Sequence, residues 1–543
     1  MTSVTISSFA EQAGRPILMG RRWAVSSGHP LASWVGAQIL EQGGTAADAA
    51  VAIAAALNVV EPQMSGLGGD LFALFFHAET KTVWAVNGTG PAPLQAIPER
   101  FRGGIPERGP LSVSVPAAAR AWELLVQRWG RLSFAQSLAP AIELAHEGFP
   151  VSHNLAASLR AHADLLASYS HSARIFLPSG NVPRPGQLLR QTELARTLET
   201  IAREGAATLY EGELADRLSR AVVEAGGLLT RESLALAEAD VVAPLSLSYR
   251  GWLVWAPPPN SSAHTLLEML GILQHLPLES WRPLSAELLH AMIEAKKIAF
   301  SDRERFTGDP RFGSTLPENL LDSDRLQALA RAIDPHRARP VPQRRPQEGS
   351  QTTSFSVVDP DGNIIVVTAS INMAFGSGFV AGDTGILLNN RMTYWHLEAG
   401  HPNQLQPGKR VRQTLSPILL TRDGSALGIG TPGSDAQVQI LLHVLVHIID
   451  YGFELQPAVE LPRWRHRGLA QESNWPHGTM DLVQVEGRLP NVTIEGLQAR
   501  GHRVERLSRW GPIGSCQVVH RIDDPLVLQA AADPRSDAYA IVW

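Results

Sequence analysis

Three groups of residues in this chain of 543 have types and spacings that could do chemistry. The first is a pair of hydroxyls. Thr352 opens an apolar run to Val358, the turn Asp359-Pro360-Asp361-Gly362-Asn363 follows, and a second run goes from Ile364 to Ser370. Two such runs around a short turn read as a β-hairpin. If Val358 pairs with Ile364, counting outward sets Thr352 opposite Ser370, with side chains about 5 Å apart. Two hydroxyls at that distance can share a hydrogen bond, as a nucleophile and its partner do; a Thr–Ser pair that only stabilises the sheet would look the same. The second group is Gly433-Ser434-Asp435, ahead of a helical run from Ala436 to Ile449. Backbone N–H groups at a helix start lack intrahelical partners and sit at the positive end of the dipole, so this turn reads either as an oxyanion-binding turn or as a plain cap. The third is His443 and His447, four apart on that run. A zinc pair at this spacing wants a Glu directly after the first His; Leu, Val and Ile surround them instead, so they read as core and no metal is expected. The turn Gly66-Leu67-Gly68-Gly69-Asp70 lacks the order of a dinucleotide or phosphate loop, and no cofactor is expected.

These residues need elements to hold them. Leu31 to Leu57 reads as two helical runs broken at Gly43-Gly44, with Thr45 and Asp48 spaced as a capping box. Residues 66–94 read as strands and turns, and Arg120 to Glu238 as mostly helix. Tyr249 to Trp255 reads as one short strand and Ala286 to Phe300 as an amphipathic helix. Between Asp334 and Ser350 the sequence DPHRARPVPQRRPQEGS has almost nothing apolar to bury, so residues 335–350 are expected to form a mobile tether just ahead of Thr352.

Composition narrows the class. With 47 Lys and Arg against 52 Asp and Glu, the net charge of -5 gives no bulk attraction to nucleic acid or an anionic membrane, and the arginines of the tether read as a solvated run. Cys516 is alone, so no intramolecular disulfide forms. The first residues show no apolar signal region, which places the protein in the cytoplasm. The most apolar stretch, Ala46 to Val60, carries Asp48 and Asn58 and is too short to span a bilayer.

The segment TTSFSVVDPDGNIIVVTASINMAFGSGFVAGDTGILLNN at 352–390 closely resembles the opening of the small subunit of gamma-glutamyltranspeptidases. Similar segments recur in order: HPLAS at 29–33, EPQMSGLGGD at 61–70, PAIELAHEGFPVS at 140–152, PPPNSS at 257–262, EAKKIAFSDR at 294–303, GTPGSD at 430–435 and AADPRSDAYA at 531–540. The resemblance covers nearly the whole chain. It implies an α/β (α+β) fold of the N-terminal-nucleophile hydrolase type, an αββα sandwich of two stacked antiparallel sheets between helix layers. It also implies a precursor cut between Gln351 and Thr352 into a large subunit, 1–351, and a small subunit, 352–543, that stay associated as one structural unit.

On that resemblance Thr352 is the nucleophile, and its freed α-amino group, of pKa about 7.7–8.0, is the base an alcohol needs. Ser370 matches the hydroxyl that hydrogen-bonds the nucleophile, and Gly433 and Ser434 match two consecutive glycines whose N–H groups bind the oxyanion. The substrate is an acidic small-molecule amide, by family default a γ-glutamyl amide such as glutathione, turned over by hydrolysis or acyl transfer. The pattern breaks at the glutamyl pocket. The Arg that clamps the α-carboxylate is replaced by Thr89. Of the groups that hold the α-amino nitrogen, Asn372 remains, while the Gln and Asp positions carry Arg391 and Tyr394. The two serines near the carboxylate are Gln413 and Thr414. Such a pocket no longer suits a zwitterion, and Arg391, with Arg410 or Arg412, could take a plain carboxylate or form structural ion pairs. The pattern is similar to the non-glutamyl branch, the cephalosporin acylases and oxamate amidohydrolases. A non-catalytic member would leave the chain uncut.

Overall fold

A computed structural model of the chain describes residues 14–341, 351–468 and 473–543. The hairpin around Asp359 lies in the middle of it. Its strands, Gln351–Val358 and Ile364–Asn372, pair antiparallel with Val358 opposite Ile364, the register counted from the turn.

Among the described residues fourteen strands build two large sheets. In chain order they are β1 (Leu18–Gly20), β2 (Ala24–Ser27), β3 (Asp70–His77), β4 (Thr82–Gly88), β5 (Asp240–Val242), β6 (Leu245–Tyr249), β7 (Trp252–Ala256), β8 (Gln351–Val358), β9 (Ile364–Asn372), β10 (Ile418–Arg422), β11 (Ser425–Gly430), β12 (Gln517–Ile522), β13 (Val527–Ala532) and β14 (Tyr539–Val542). One sheet runs β14-β2-β8-β9-β3-β4-β5 and the other β1-β13-β12-β11-β10-β7-β6; every pairing in both is antiparallel.

The period of two along each strand makes this a four-layer sandwich. Val358, Ile364 and Val366 pack with Leu419, Ala426 and Val519 of the facing sheet. Their neighbours Phe355, Val357, Ile365 and Val367 point the other way, against α1 (Pro30–Glu41) and α2 (Ala46–Val60). On the far side Ile418, Leu420, Leu427 and Ile429 pack with α3 (His264–Leu273), α4 (Ala286–Phe306) and α5 (Gln437–Ile449). The αββα arrangement implied by the resemblance is therefore the architecture.

The capping box at Thr45 and Asp48 forms. At the same helix end, Ala46 N–H donates to Asp359 Oδ2 at 2.9 Å, which ties the hairpin turn to the start of α2. Two elements differ from the sequence reading. The stretch from Tyr249 to Trp255 is not one strand: Arg250 and Gly251 take φ of 48° and 81° and turn the chain, so β6 and β7 pair as a hairpin. The helix starting at Ala286 runs to Phe306 and is not amphipathic; Lys296, Lys297 and Arg303 are buried along with its apolar residues. Its charges are paired, Lys297 with Glu294 at 2.8 Å inside the helix and Arg303 with the distant Asp435.

Of the expected tether, residues 335–341 are held in place: Ala338 N–H donates to Arg500 O at 2.7 Å and Val341 N–H to Asp481 Oδ2 at 3.2 Å. Residues 342–350 lie outside the described ones. Among the described residues no helix is long and apolar enough to cross a membrane.

Candidate active site

Side chains of even number on β8 and β9 face the opposing sheet, so Thr352 and Ser370 point into the inter-sheet space at the open end of the sandwich. The register Ser370 to Asp70 adds β3 to this row. Leu71 pairs with Gly88, so the same register carried one step further sets Thr89 beside Asp70. Thr352, Ser370 and Asp70 thus come from three adjacent strands and, with Thr89 just past the end of the fourth, share one face, with spacings of about 5 Å between neighbours.

The expected hydroxyl contact differs in detail. The hairpin register holds as far as Thr353 opposite Ala369 and then shifts, setting Gln351 opposite Asn372. One extra residue on β9 makes a bulge, and Asn372 takes a left-handed φ of 79°. Ser370 Oγ consequently donates to the Gln351 carbonyl oxygen at 2.7 Å and accepts from Asn372 N–H at 2.8 Å. Thr352 Oγ1 is buried and has no hydrogen-bond partner among the described residues. The hydroxyl opposite Thr352 therefore holds the carbonyl of the peptide bond on its N-terminal side, not the Thr352 hydroxyl.

Gly433 and Ser434 follow the end of β11. A Cβ on Gly430 would meet Ser354 Oγ, so the two sheets approach closely two residues from Thr352, and the chain then turns. Gly433 has φ 135° and Ser434 φ 53°. The second value is a strained region for a side-chain-bearing residue, at a cost of about 1–3 kcal/mol. Asp435 anchors the turn: its carboxylate accepts from Arg303, from Ser473 N–H at 2.8 Å and from Ser473 Oγ at 2.9 Å. The next residue, Asn474, accepts through Oδ1 from Asn372 Nδ2 at 2.8 Å and Thr393 Oγ1 at 2.6 Å. This chain of bonds joins the turn to the end of β9.

The remaining expected residues meet around Asp70. Arg391 Nε and Gln413 Nε2 donate to Asp70 Oδ2 at 3.2 and 3.0 Å, and Gly90 N–H donates to Oδ1 at 2.9 Å. Burial pushes the Asp70 carboxyl up, with the Arg391 charge and these hydrogen bonds opposing. The Arg391 guanidinium lies 4.8 Å from the Tyr394 ring centre, and Tyr394 Oη is 3.3 Å from Thr414 Oγ1. Thr89 Oγ1 donates to Asn87 Oδ1 at 2.7 Å and accepts from Asn260 Nδ2 at 3.1 Å; it brings no charge. Arg410 and Arg412 do not join this group. Arg410 pairs with Asp240, and Arg412 with Glu304 at 3.0 Å.

Several residues that complete the site went unassigned in the sequence. Asp70 and Asn260 lie in the segments EPQMSGLGGD and PPPNSS, which carried part of the resemblance, so the signal was present without a role. Glu61 opens the first of these. It accepts from Thr353 Oγ1 at 3.0 Å, and burial raises its pKa to about 7, with the Thr353 bond opposing.

His443 and His447 are fully buried in the apolar layer of α5. Among the described residues two other groups have ligand atoms close enough for a metal, His290 with Glu294 and His502, and Glu304 with His396 and His401. In each the carboxylate already has cationic partners, Lys297 at 2.8 Å on Glu294 and both Arg303 and Arg412 on Glu304, so both read as ion-pair networks.

Comparison with known proteins agrees with this fold. The family model described as gamma-glutamyltranspeptidase matches residues 32–543. The chain is 37% identical over 532 residues to a glutathione hydrolase-like YwrD proenzyme of Bacillus subtilis (strain 168), covering 96% of this chain and 99% of that protein. It is 33% identical over 522 residues to an oxamate amidohydrolase proenzyme of Klebsiella pneumoniae, covering 94% and 97%. Among solved structures, a cephalosporin acylase from Bacillus halodurans superposes with a TM-score of 0.89 at 33% identity, covering 97% of each chain. A nearly full-length family match, and a four-layer sandwich that superposes on a matched structure over 97% of the chain, lead to one statement: the chain belongs to the gamma-glutamyltranspeptidase family.

Proposed function

We propose that the chain cuts itself between Gln351 and Thr352 and that Thr352 then hydrolyses an acidic amide through an acyl-enzyme. In the first stage Thr352 Oγ1 attacks the Gln351 carbonyl carbon. The C–N bond breaks, the Thr352 nitrogen leaves as an amine, and an ester remains. Water hydrolyses the ester, giving the Gln351 carboxylate and a Thr352 with a free hydroxyl and a free α-amino group. In the second stage that amino group takes the proton from Oγ1 as the hydroxyl attacks the substrate amide. The N–H groups of Gly433 and Ser434 stabilise the oxyanion, the amine departs with the proton, and water releases the acid.

The observation that carries this reading is the Ser370 hydrogen bond to the Gln351 carbonyl oxygen at 2.7 Å, next to a Thr352 hydroxyl without a hydrogen-bond partner among the described residues. It polarises the bond that must break first. The matched relatives are named hydrolase, amidohydrolase and acylase, names that agree on the reaction type and differ in the acyl donor. A γ-glutamyl amide such as glutathione is the family default. An amide without the amino-acid head is the second reading, favoured by the uncharged Thr89 and by Arg391 at the site.

The test is amide hydrolysis by the purified protein, read as amine release, with Thr352→Ala as control. Wild type is expected to turn over at least one acidic amide and to carry a transient acyl group on the fragment that begins at Thr352. The variant is expected to show neither. Equal hydrolysis by the variant would contradict the mechanism.

A further inference from the structure

Ser434 holds a conformation that a glycine takes without strain. Its φ of 53° lies in the left-handed region that a Cβ disfavours, and such strain persists only where the surroundings over-determine it. They do so from both sides. On the strand side, Thr431 Oγ1 accepts from Ser515 N–H at 3.1 Å. A Cβ on Gly514 would lie 2.6 Å from the Pro432 carbonyl oxygen, so a second segment packs directly against the turn. On the helix side, Gln437 N–H donates to the Ser434 carbonyl, and Arg303 and Ser473 hold Asp435. The side chain held this way has an unused donor. Ser434 is 7% exposed, and its Oγ is buried without a hydrogen-bond partner among the described residues. A buried hydroxyl left unpaired is destabilising, so folding stability explains neither the backbone of Ser434 nor its side chain.

The lone pairs of a carbonyl oxygen change in number as the carbonyl reacts. In the bound substrate there are two, which the N–H groups of Gly433 and Ser434 fill. When Thr352 Oγ1 adds to the carbon, the oxygen becomes an alkoxide with three. Ser434 Oγ is joined through Cβ to the Cα that carries the N–H nitrogen, so an oxygen bound to that N–H is within reach of a staggered rotamer of the side chain. The hydroxyl proton rotates to meet it. We infer that Ser434 Oγ is a catalytic donor, giving a third hydrogen bond to the oxyanion when Thr352 is acylated and again when water removes the acyl group. The inference rests on the hydrolase reading above and adds a side chain to its two backbone donors. Because the third lone pair appears only on addition, this bond stabilises the transition state and not the bound substrate. It also serves a different oxygen from Ser370, which donates to the Gln351 carbonyl at 2.7 Å. Self-cleavage and amide hydrolysis thus have separate side-chain donors.

The experiment gives 4-nitrophenyl acetate, an activated ester with no head group to recognise, to the purified wild type, Ser434→Ala and Ser434→Gly. Release of 4-nitrophenol above the Thr352→Ala background yields kcat and KM, and the mass of the fragment beginning at Thr352 shows its acetyl group. Both Ser434 variants are expected to lose about 100-fold in kcat, the lower range for one oxyanion donor, with KM unchanged, as for an interaction made only in the transition state. Ala keeps the left-handed strain and Gly relieves it, so a loss common to both belongs to the hydroxyl. Gly also fits this φ, which keeps a folded variant in the set, and the appearance of the cut fragment reports folding in each. Wild-type kcat in Ser434→Ala would overturn the inference. So would a loss confined to Ser434→Gly, which would assign the effect to the backbone. Variants that melt like the wild type but stay uncut would overturn it too, because the hydroxyl would then act on the Gln351 oxygen. A wild type whose Thr352 takes up no acetyl group would sink the hydrolase reading, and this inference with it. Acetylation undiminished in Ser434→Ala would sink the inference alone.

Discussion

At the scale of single residues, the proposed chemistry and its pH dependence turn on what two hydroxyls and one carboxyl touch. Ser370→Ala removes the donor to the Gln351 carbonyl, so self-cleavage is expected to slow by about 100–1000-fold, as when an oxyanion donor is lost; the cut fraction followed over hours on a denaturing gel checks this. Glu61 makes a different prediction. Burial holds its folded pKa at about 7 against 4.5 for the unconstrained group, so the folded state keeps a proton that the unfolded chain releases. Its contribution is present below about pH 4.5 and is lost as pH rises through 7, a change on the order of 3 kcal/mol. Glu61→Gln should flatten urea midpoints across that window, and an unchanged slope would assign the effect elsewhere. Residue types and spacing made Thr352 and Ser370 visible in the sequence, because a turn of known length fixes the register. The contact Ser370 makes was not visible. It depends on a bulge stabilised by Asn390 and Asn474, which accept from Asn372 Nδ2 and lie far along the chain.

At the scale of elements, the hairpin and α2 support one another through Asp359. Its Oδ1 accepts from the N–H groups of Asp361 and Asn363, and its Oδ2 from Ala46 N–H and Asn363 Nδ2. Asp359→Ala strands several of these donors and is expected to cost about 2–3 kcal/mol, read as a lower denaturant midpoint with an unchanged m-value. Local signals predicted elements well where they were self-contained, as in the Thr45 capping box and the hairpin turn. They failed where long-range partners decide. The charges of α4 looked like a solvent face because Asp435, which pairs with Arg303, is remote in sequence. A strand read across Arg250-Gly251 missed the turn because a positive φ at Arg250 carries no residue signature.

For the whole molecule, the decisive feature is that both halves of the proposed precursor contribute strands to the same sheets. In one, β2, β3, β4 and β5 come from before residue 351 and β8, β9 and β14 from after it; β8 pairs with β2 as well as with β9. Cleavage at 351–352 is therefore expected to leave the two pieces associated: they should coelute on native gel filtration and separate only in denaturant, and dissociation under native conditions would contradict shared sheets. The fold was legible because the resemblance spanned nearly the whole chain. The Arg391–Asp70 pair was not, since its partners are 321 positions apart and nothing local to either residue points to the other. The most direct test of the central claim is intact mass with N-terminal sequencing of the purified protein, beside Thr352→Ala. A fragment whose first residue is Thr352 is expected in the wild type and a single uncut chain in the variant. A folded wild-type chain that stays whole, or a cut at another bond, would contradict it.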